Sequence, residues 1–107
     1  MGNLGELEQI VLMAVLRLGA DAYGVPVHAD IERRTGRELS IAAIYKTLER
    51  LREKGFLTAR VGDPTPVRGG RAKRQYTITS TGRQALKASI RTIRRMAHGL
   101  DVGLEPS

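Results

Sequence analysis

The sequence contains no cysteine and no tryptophan, and only three tyrosines and one phenylalanine. Without cysteine, disulfides, thiolate metal sites and cysteine nucleophiles are excluded. The two histidines, His28 and His98, have no second histidine at ligand spacing, so no metal is expected. Nucleophile–base constellations, paired loop carboxylates and cofactor motifs are missing too, which argues against an enzyme and against a bound cofactor. The longest unbroken apolar run, Ile10–Leu16, is seven residues, against the roughly 20 that a membrane span requires. Glu6 and Glu8 precede any lysine or arginine, unlike a secretory signal. A small, soluble, cytoplasmic protein is expected.

What the chain does have is positive charge, unevenly placed. Its 107 residues carry 18 Lys and Arg against 11 Asp and Glu, a net +7. Residues 1–53 hold seven basic and eight acidic side chains, a balance of −1, whereas residues 54–98 hold eleven basic side chains against Asp63, a balance of +10. A one-sided basic block on a chain of pI ≈ 10.6 is the electrostatic footprint of a nucleic-acid binder. With 41% apolar residues, a globular core is expected; at this length it is a modest one that oligomerisation would extend.

Leu7, Ile10, Val11, Ala14, Val15 and Leu18 recur at helical spacing and predict a first helix over 4–18, stopped at Gly19. A turn over Asp21–Gly24 leads into a second helix, with Pro26 in its first turn, Val27 and Ile31 inward, and Gly36 as its end. Glu38 and Leu39 are read as a short strand. Ser40 is a good N-cap for a third helix running to Lys54, with Gly55 placed for a left-handed stop. Phe56–Val61 alternates as a strand, Gly62–Lys73 is a breaker-rich hairpin tip, and Arg74–Thr79 is the returning strand. Thr79 or Ser80 caps a last helix reaching about Gly99, and residues 101–107 are a loose tail. This order predicts a mainly α fold with a small β-hairpin, a winged helix-turn-helix over residues 1–79 followed by a long C-terminal helix over 80–100.

At 100° per residue, Ile41, Ile44, Leu48 and Leu51 fall within one inward arc of the third helix. Ala42, Ala43, Lys46, Glu49, Arg50 and Glu53 face the other way, with Tyr45 and Thr47 on the flanks. The outer face is small and basic at its start and acidic at its end, so its first two turns suit a major groove. Ser40 and the helix N-terminus suit a phosphate. Lys46 with Glu49, or Arg50 with Glu53, can equally be surface ion pairs. Candidate DNA-binding residues are Ser40, Ala42, Ala43, Tyr45, Lys46, Thr47 and Arg50 on this helix, with Arg68, Arg71, Lys73 and Arg74 on the hairpin beside Gly69-Gly70. In the last helix, Leu86, Ile90, Ile93, Ala97 and Leu100 step by 4, 3, 4 and 3, a coiled-coil seam that a partner chain can cover. The first helix, through Leu7 and Val11, is the second candidate contributor to that dimer interface.

Leu4-Gly5-Glu6-Leu7-Glu8, Val11-Leu12-x-Ala14-Val15-Leu16, Ala22-Tyr23-Gly24 and Thr35-Gly36-Arg37 appear in that order. They are followed by Ser40, Ile44-Tyr45-x-Thr47-Leu48-x-Arg50-Leu51, Lys54-Gly55-Phe56-Leu57 and Gly69-Gly70-Arg71-x-Lys73-Arg74-x-Tyr76-x-x-Thr79-x-x-Gly82. Together these pieces resemble the PadR family of bacterial transcriptional regulators, in its short subgroup with a single C-terminal dimerisation helix. The resemblance implies a homodimeric repressor of double-stranded operator DNA, joined through its first and last helices and released by a small-molecule effector. Some relatives bind drugs or phenolic acids near the dimer interface; the last helix here has no aromatic residue, so no stacking pocket of that kind is visible. The competing readings are a non-specific architectural DNA-binding protein and a winged-helix protein-interaction module. RNA binding is disfavoured because the aromatics are not interleaved with the basic loop.

Overall fold

A computed structural model describes residues 4–64, 72–100 and 103. Helix α1 spans Glu6–Leu18. The Glu8 carboxylate reaches back to accept the Gly5 N–H at 2.9 Å, satisfying one donor that the helix start leaves without a partner. After a 3₁₀ turn over Gly19–Asp21, α2 spans Gly24–Thr35 and α3 spans Ile41–Glu53. Ser40 Oγ caps α3 by accepting the Ala43 N–H at 3.0 Å. Gly36 (φ 71°) and Gly55 (φ 81°) take the left-handed conformation in which side chains are strained, and so stop α2 and α3 where expected.

Strands β1 (Leu57–Pro64) and β2 (Ala72–Ile78) pair antiparallel, Leu57 opposite Ile78 and Ala59 opposite Tyr76, with an irregularity between Val61 and Pro64. Helix α4 spans Ser80–Ala97. Thr79 Oγ1 caps it, accepting the Gly82 N–H at 2.9 Å while donating to the Gly55 carbonyl at 2.7 Å. One hydroxyl thus joins the end of α3 to the start of α4. The fold is a winged helix-turn-helix with a long last helix.

The core is built around α1, which meets α2, α3, β2 and α4. Val11, Leu12 and Val15 of α1 close on Val27 and Ile31 of α2, Ile44, Leu48 and Leu51 of α3, and Phe56, Leu57, Tyr76 and Leu86, all buried. Two buried carboxylates pin the helices together. Glu8 accepts Lys54 Nζ at 2.6 Å, tying α1 to the end of α3. Asp30, 2% exposed, accepts Arg17 from α1 at 3.2 Å and Arg33 and Arg34 from its own helix at 2.8 and 3.0 Å.

Several expectations need correction. Glu38–Leu39 is no strand; the Leu39 carbonyl instead accepts His28 Nε2 at 2.5 Å. Ile41 is 38% exposed, one turn ahead of the packed stripe that begins at Ile44. The hairpin strands run further toward the tip than expected, β1 to Pro64 and β2 from Ala72, and Val61 at that projecting end is exposed. Val11 (0% exposed) and Leu86 (3%) are covered within the chain, because α1 is central and the first half of α4 lies on it; neither is left for a subunit interface. The remaining seam residues differ: Leu7 and Ile90 are half-buried, while every residue from Arg91 to Leu100 is exposed. The hairpin tip with Arg68 and Arg71, and most of the tail, lie outside the described residues.

Candidate nucleic-acid interface

The outer face of α3 is open where the sequence placed it. Ser40, Ala42, Tyr45, Lys46 and Arg50 are exposed and Ala43 is half-exposed. Thr47 is the exception and is corrected: it is 3% exposed, and its hydroxyl donates to the Ala43 carbonyl at 2.8 Å. Because α1, α2 and β1 all pack on α3, the covered face is wider than one apolar stripe, and a flanking threonine falls inside it.

Strand β2 brings two of the four hairpin cations to the same side. A cleft of about 620 Å³ is lined by Tyr23, Val25 and Pro26 near the start of α2, Tyr45 and Glu49 of α3, and Lys73, Arg74 and Tyr76 of β2. Lys73 Nζ stands 5.6 Å from the centroid of the Tyr23 ring, within cation–π range. Tyr45 lies directly on Gly24: a Cβ there would fall 2.2 Å from its Cε1 and 2.8 Å from its hydroxyl oxygen. The absence of a side chain at Gly24 is what allows α2 and α3 to present Tyr45 in this position.

Glu49 is the residue that reasoning from the sequence assigned least well. The sequence places it at the acidic end of the outer face, with a surface ion pair to Lys46 as the alternative reading. In the fold, Arg52 reaches its Oε1 at 3.0 Å through both Nε and Nη2. Its Oε2 accepts Arg74 Nη1 at 2.8 Å and the Tyr76 hydroxyl at 3.1 Å. The Arg52 hydrogen bond, opposed by partial burial and aided by Tyr76 and Arg74, holds the Glu49 carboxyl below its ordinary range. Burial raises the Tyr76 hydroxyl above its own. Arg52 was legible from its i,i+3 spacing; Arg74 and Tyr76 lie 25 and 27 residues away, and nothing local announces them.

A capped helix with a small, basic, open first half, flanked by a two-stranded wing whose lysine and arginine face the same cleft, defines a winged-helix protein of the DNA-binding type. The chain belongs to the transcriptional regulator PadR-like family, whose pattern it matches over residues 12–88; this is a family of transcription regulators, not of enzymes. No curated protein matches it by sequence. Among solved structures it is similar to BpsR of Bordetella bronchiseptica, described for the regulation of its DNA binding by 6-hydroxynicotinic acid, at 23% identity and TM-score 0.71 over 97% of this chain and 70% of that one. It is also similar to a PadR family regulator of Clostridium difficile (23%, TM-score 0.64, 87% and 95% of the two chains). A winged-helix DNA-binding protein from STIV is similar in fold at 13% identity (TM-score 0.69, 94% and 100%).

Proposed function

We propose that this chain is a homodimeric, sequence-specific repressor that binds operator DNA in the cytoplasm. The observation that carries the reading is the single surface formed by the open first half of α3, with Ser40, Ala42, Ala43, Tyr45 and Lys46, and the β2 cations Lys73 and Arg74 beside it. The helix start offers its first N–H groups to a phosphate, the alanines let the backbone approach base edges, and Lys46 reaches them. Arg50 and the tip residues Arg68 and Arg71 complete the phosphate contacts in this reading. Residues 1–79 form the DNA-binding unit and 80–100 the dimerisation helix. Support for the latter comes from Ile93, Met96 and Leu100, 61, 74 and 65% exposed; apolar side chains in a row on a projecting helix favour a second copy as their cover. Release by a small molecule is part of the proposal, as BpsR is regulated by one.

Two recognition helices about 34–36 Å apart would read a pseudo-palindrome. The test is fluorescence anisotropy against a labelled duplex from upstream of the chain's own gene, with excess competitor DNA and across salt. Neutralising roughly 6–10 phosphates should cost about 10³–10⁵ in affinity between 50 and 200 mM salt. A flat salt response refutes the reading, and binding erased by competitor favours a non-specific architectural protein. Sedimentation of Ile93→Asp should show a monomer where the parent is a dimer.

A further inference from the structure

The Glu49 node joins the two elements that the DNA-binding reading brings to one surface. Its side chain is 34% exposed, one turn beyond Tyr45 and Lys46 on α3. Of its four donor contacts, two come from α3 itself through Arg52 and two from β2 through Arg74 and Tyr76. Tyr76 is a strong anchor: its ring is 2% exposed in the core, and its N–H donates to the Ala22 carbonyl at 2.9 Å. Gln75 adds a bond to the Gly19 carbonyl at 3.1 Å. Strand β2 is therefore held at its inner end by the α1–α2 turn, and Glu49 is its attachment to α3. Two arginines around one carboxylate leave the node with net positive charge, so phosphates meet no bare anion there. Arg74, expected as a phosphate contact, is engaged within the chain.

We infer that Glu49 is a positioning residue that fixes the wing strand against the recognition helix and thereby sets discrimination between DNA sequences. This rests on the operator-binding reading above. A wing held at one angle lets helix and hairpin engage one duplex geometry together; a wing free to swing keeps its charge but loses that register.

The experiment selects a duplex from a random-sequence library with the parent protein, then measures affinity for the selected and for a scrambled duplex in Glu49→Gln and Tyr76→Phe. Gln keeps the volume while removing the charge; Phe keeps the core ring while removing one donor. The ratio of the two affinities should fall about tenfold in Glu49→Gln, the order of one charge-assisted hydrogen bond. Affinity for the scrambled duplex should hold or rise, because one negative charge is gone. Tyr76→Phe should move the ratio the same way by less, and thermal melts separate this from loss of folding. The inference is overturned if both variants keep the parent's ratio while their melting temperatures drop, or if affinity for the two duplexes falls in parallel. If the parent itself selects no sequence, the operator-binding reading fails first and carries the inference with it.

Discussion

Glycine to alanine at two first-turn helix positions, Gly24 in α2 and Gly82 in α4, should have opposite consequences. At Gly82 a Cβ would stand 2.2 Å from the Phe56 carbonyl oxygen and 2.9 Å from its carbonyl carbon. Both are backbone atoms, and the Phe56 carbonyl also accepts the Thr79 N–H at 3.0 Å. The clash is relieved by lifting the start of α4 off the Phe56 backbone, which strains the Thr79 cap and loosens Leu86. Overpacking of this kind costs about 1–3 kcal/mol and a weakened cap about 1 more, from which the alanine's better helix propensity takes back about 1, leaving roughly 2 kcal/mol. For a domain of this size that is a fall of about 8–16 °C in melting temperature. At Gly24 the obstacle is the Tyr45 ring, 44% exposed, which can swing into water. Gly24→Ala should therefore melt within about 5 °C of the parent, the exchange of a small contact for helix propensity, yet bind DNA more weakly because Tyr45 has left the interface. Thermal melts by circular dichroism, with anisotropy on the same samples, check both. A Gly82→Ala protein that melts like the parent refutes the packing argument, and a Gly24→Ala protein with undiminished DNA affinity refutes the role given to Tyr45.

Lys46→Ala should lower the slope of log affinity against log salt by about 1 if Lys46 meets a phosphate, or relax one base position at an unchanged slope if it reads a base; salt titrations on the selected duplex tell these apart. Ser40→Ala should cost about 1 kcal/mol in urea unfolding through the lost cap on Ala43. Stability should hold through neutral pH and fall in acid. For Glu8 and Asp30 burial pushes the carboxyl up, but hydrogen bonds from Lys54 to the one and from Arg34 and Arg17 to the other bring each below its ordinary value. A lowered folded value means stability present above the ordinary values of 4.5 and 3.8 and lost as pH drops through and below them. Asp30→Asn should remove part of that acid dependence and cost about 1–3 kcal/mol at pH 7, since its three arginines are half-exposed and can turn to water; urea melts across pH 3–7 test it.

The local rules were legible in the residues: helix spacing in α1, α2 and α4, Ser40 as a cap and the α4 cap to within Thr79 or Ser80, Gly36 and Gly55 as stops. Such signals work because cap, stop and stripe act within one or two turns. The misreadings share a different cause. Thr47 was placed on an open flank because a helical wheel assumes one packed side, whereas α3 is covered by three elements. Val11 was assigned to a subunit interface because an apolar face does not say whose surface it meets. Glu49 was assigned by its charge, although its partners depended on how the wing returns across α3.

Charge bookkeeping by segment points to the same distinction between what is local and what the fold decides. The near-neutral first half engages several of its acids internally: Glu6 with Arg37, Asp30 with Arg17, Arg33 and Arg34, Glu32 with His28 and Glu49 with Arg52. Among the described residues of the basic block, Lys54 and Arg74 alone reach a carboxylate, and each reaches one belonging to the first half. Among the described residues Lys46, Arg50, Arg60, Lys73, Arg83, Lys87, Arg91, Arg94 and Arg95 make no ion pair. Folding thus engages five of the first half's eight acids, leaving Asp21, Glu38 and Glu53 exposed, and leaves an excess of unpaired cations on the wing and α4, a surface suited to a polyanion. Long-range steering by that field sets how fast DNA is met; it cannot choose a sequence. Choice falls to the few contacts whose geometry is fixed from within, which is why a single anchored carboxylate between α3 and β2 can weigh more on specificity than any one of the free lysines and arginines around it.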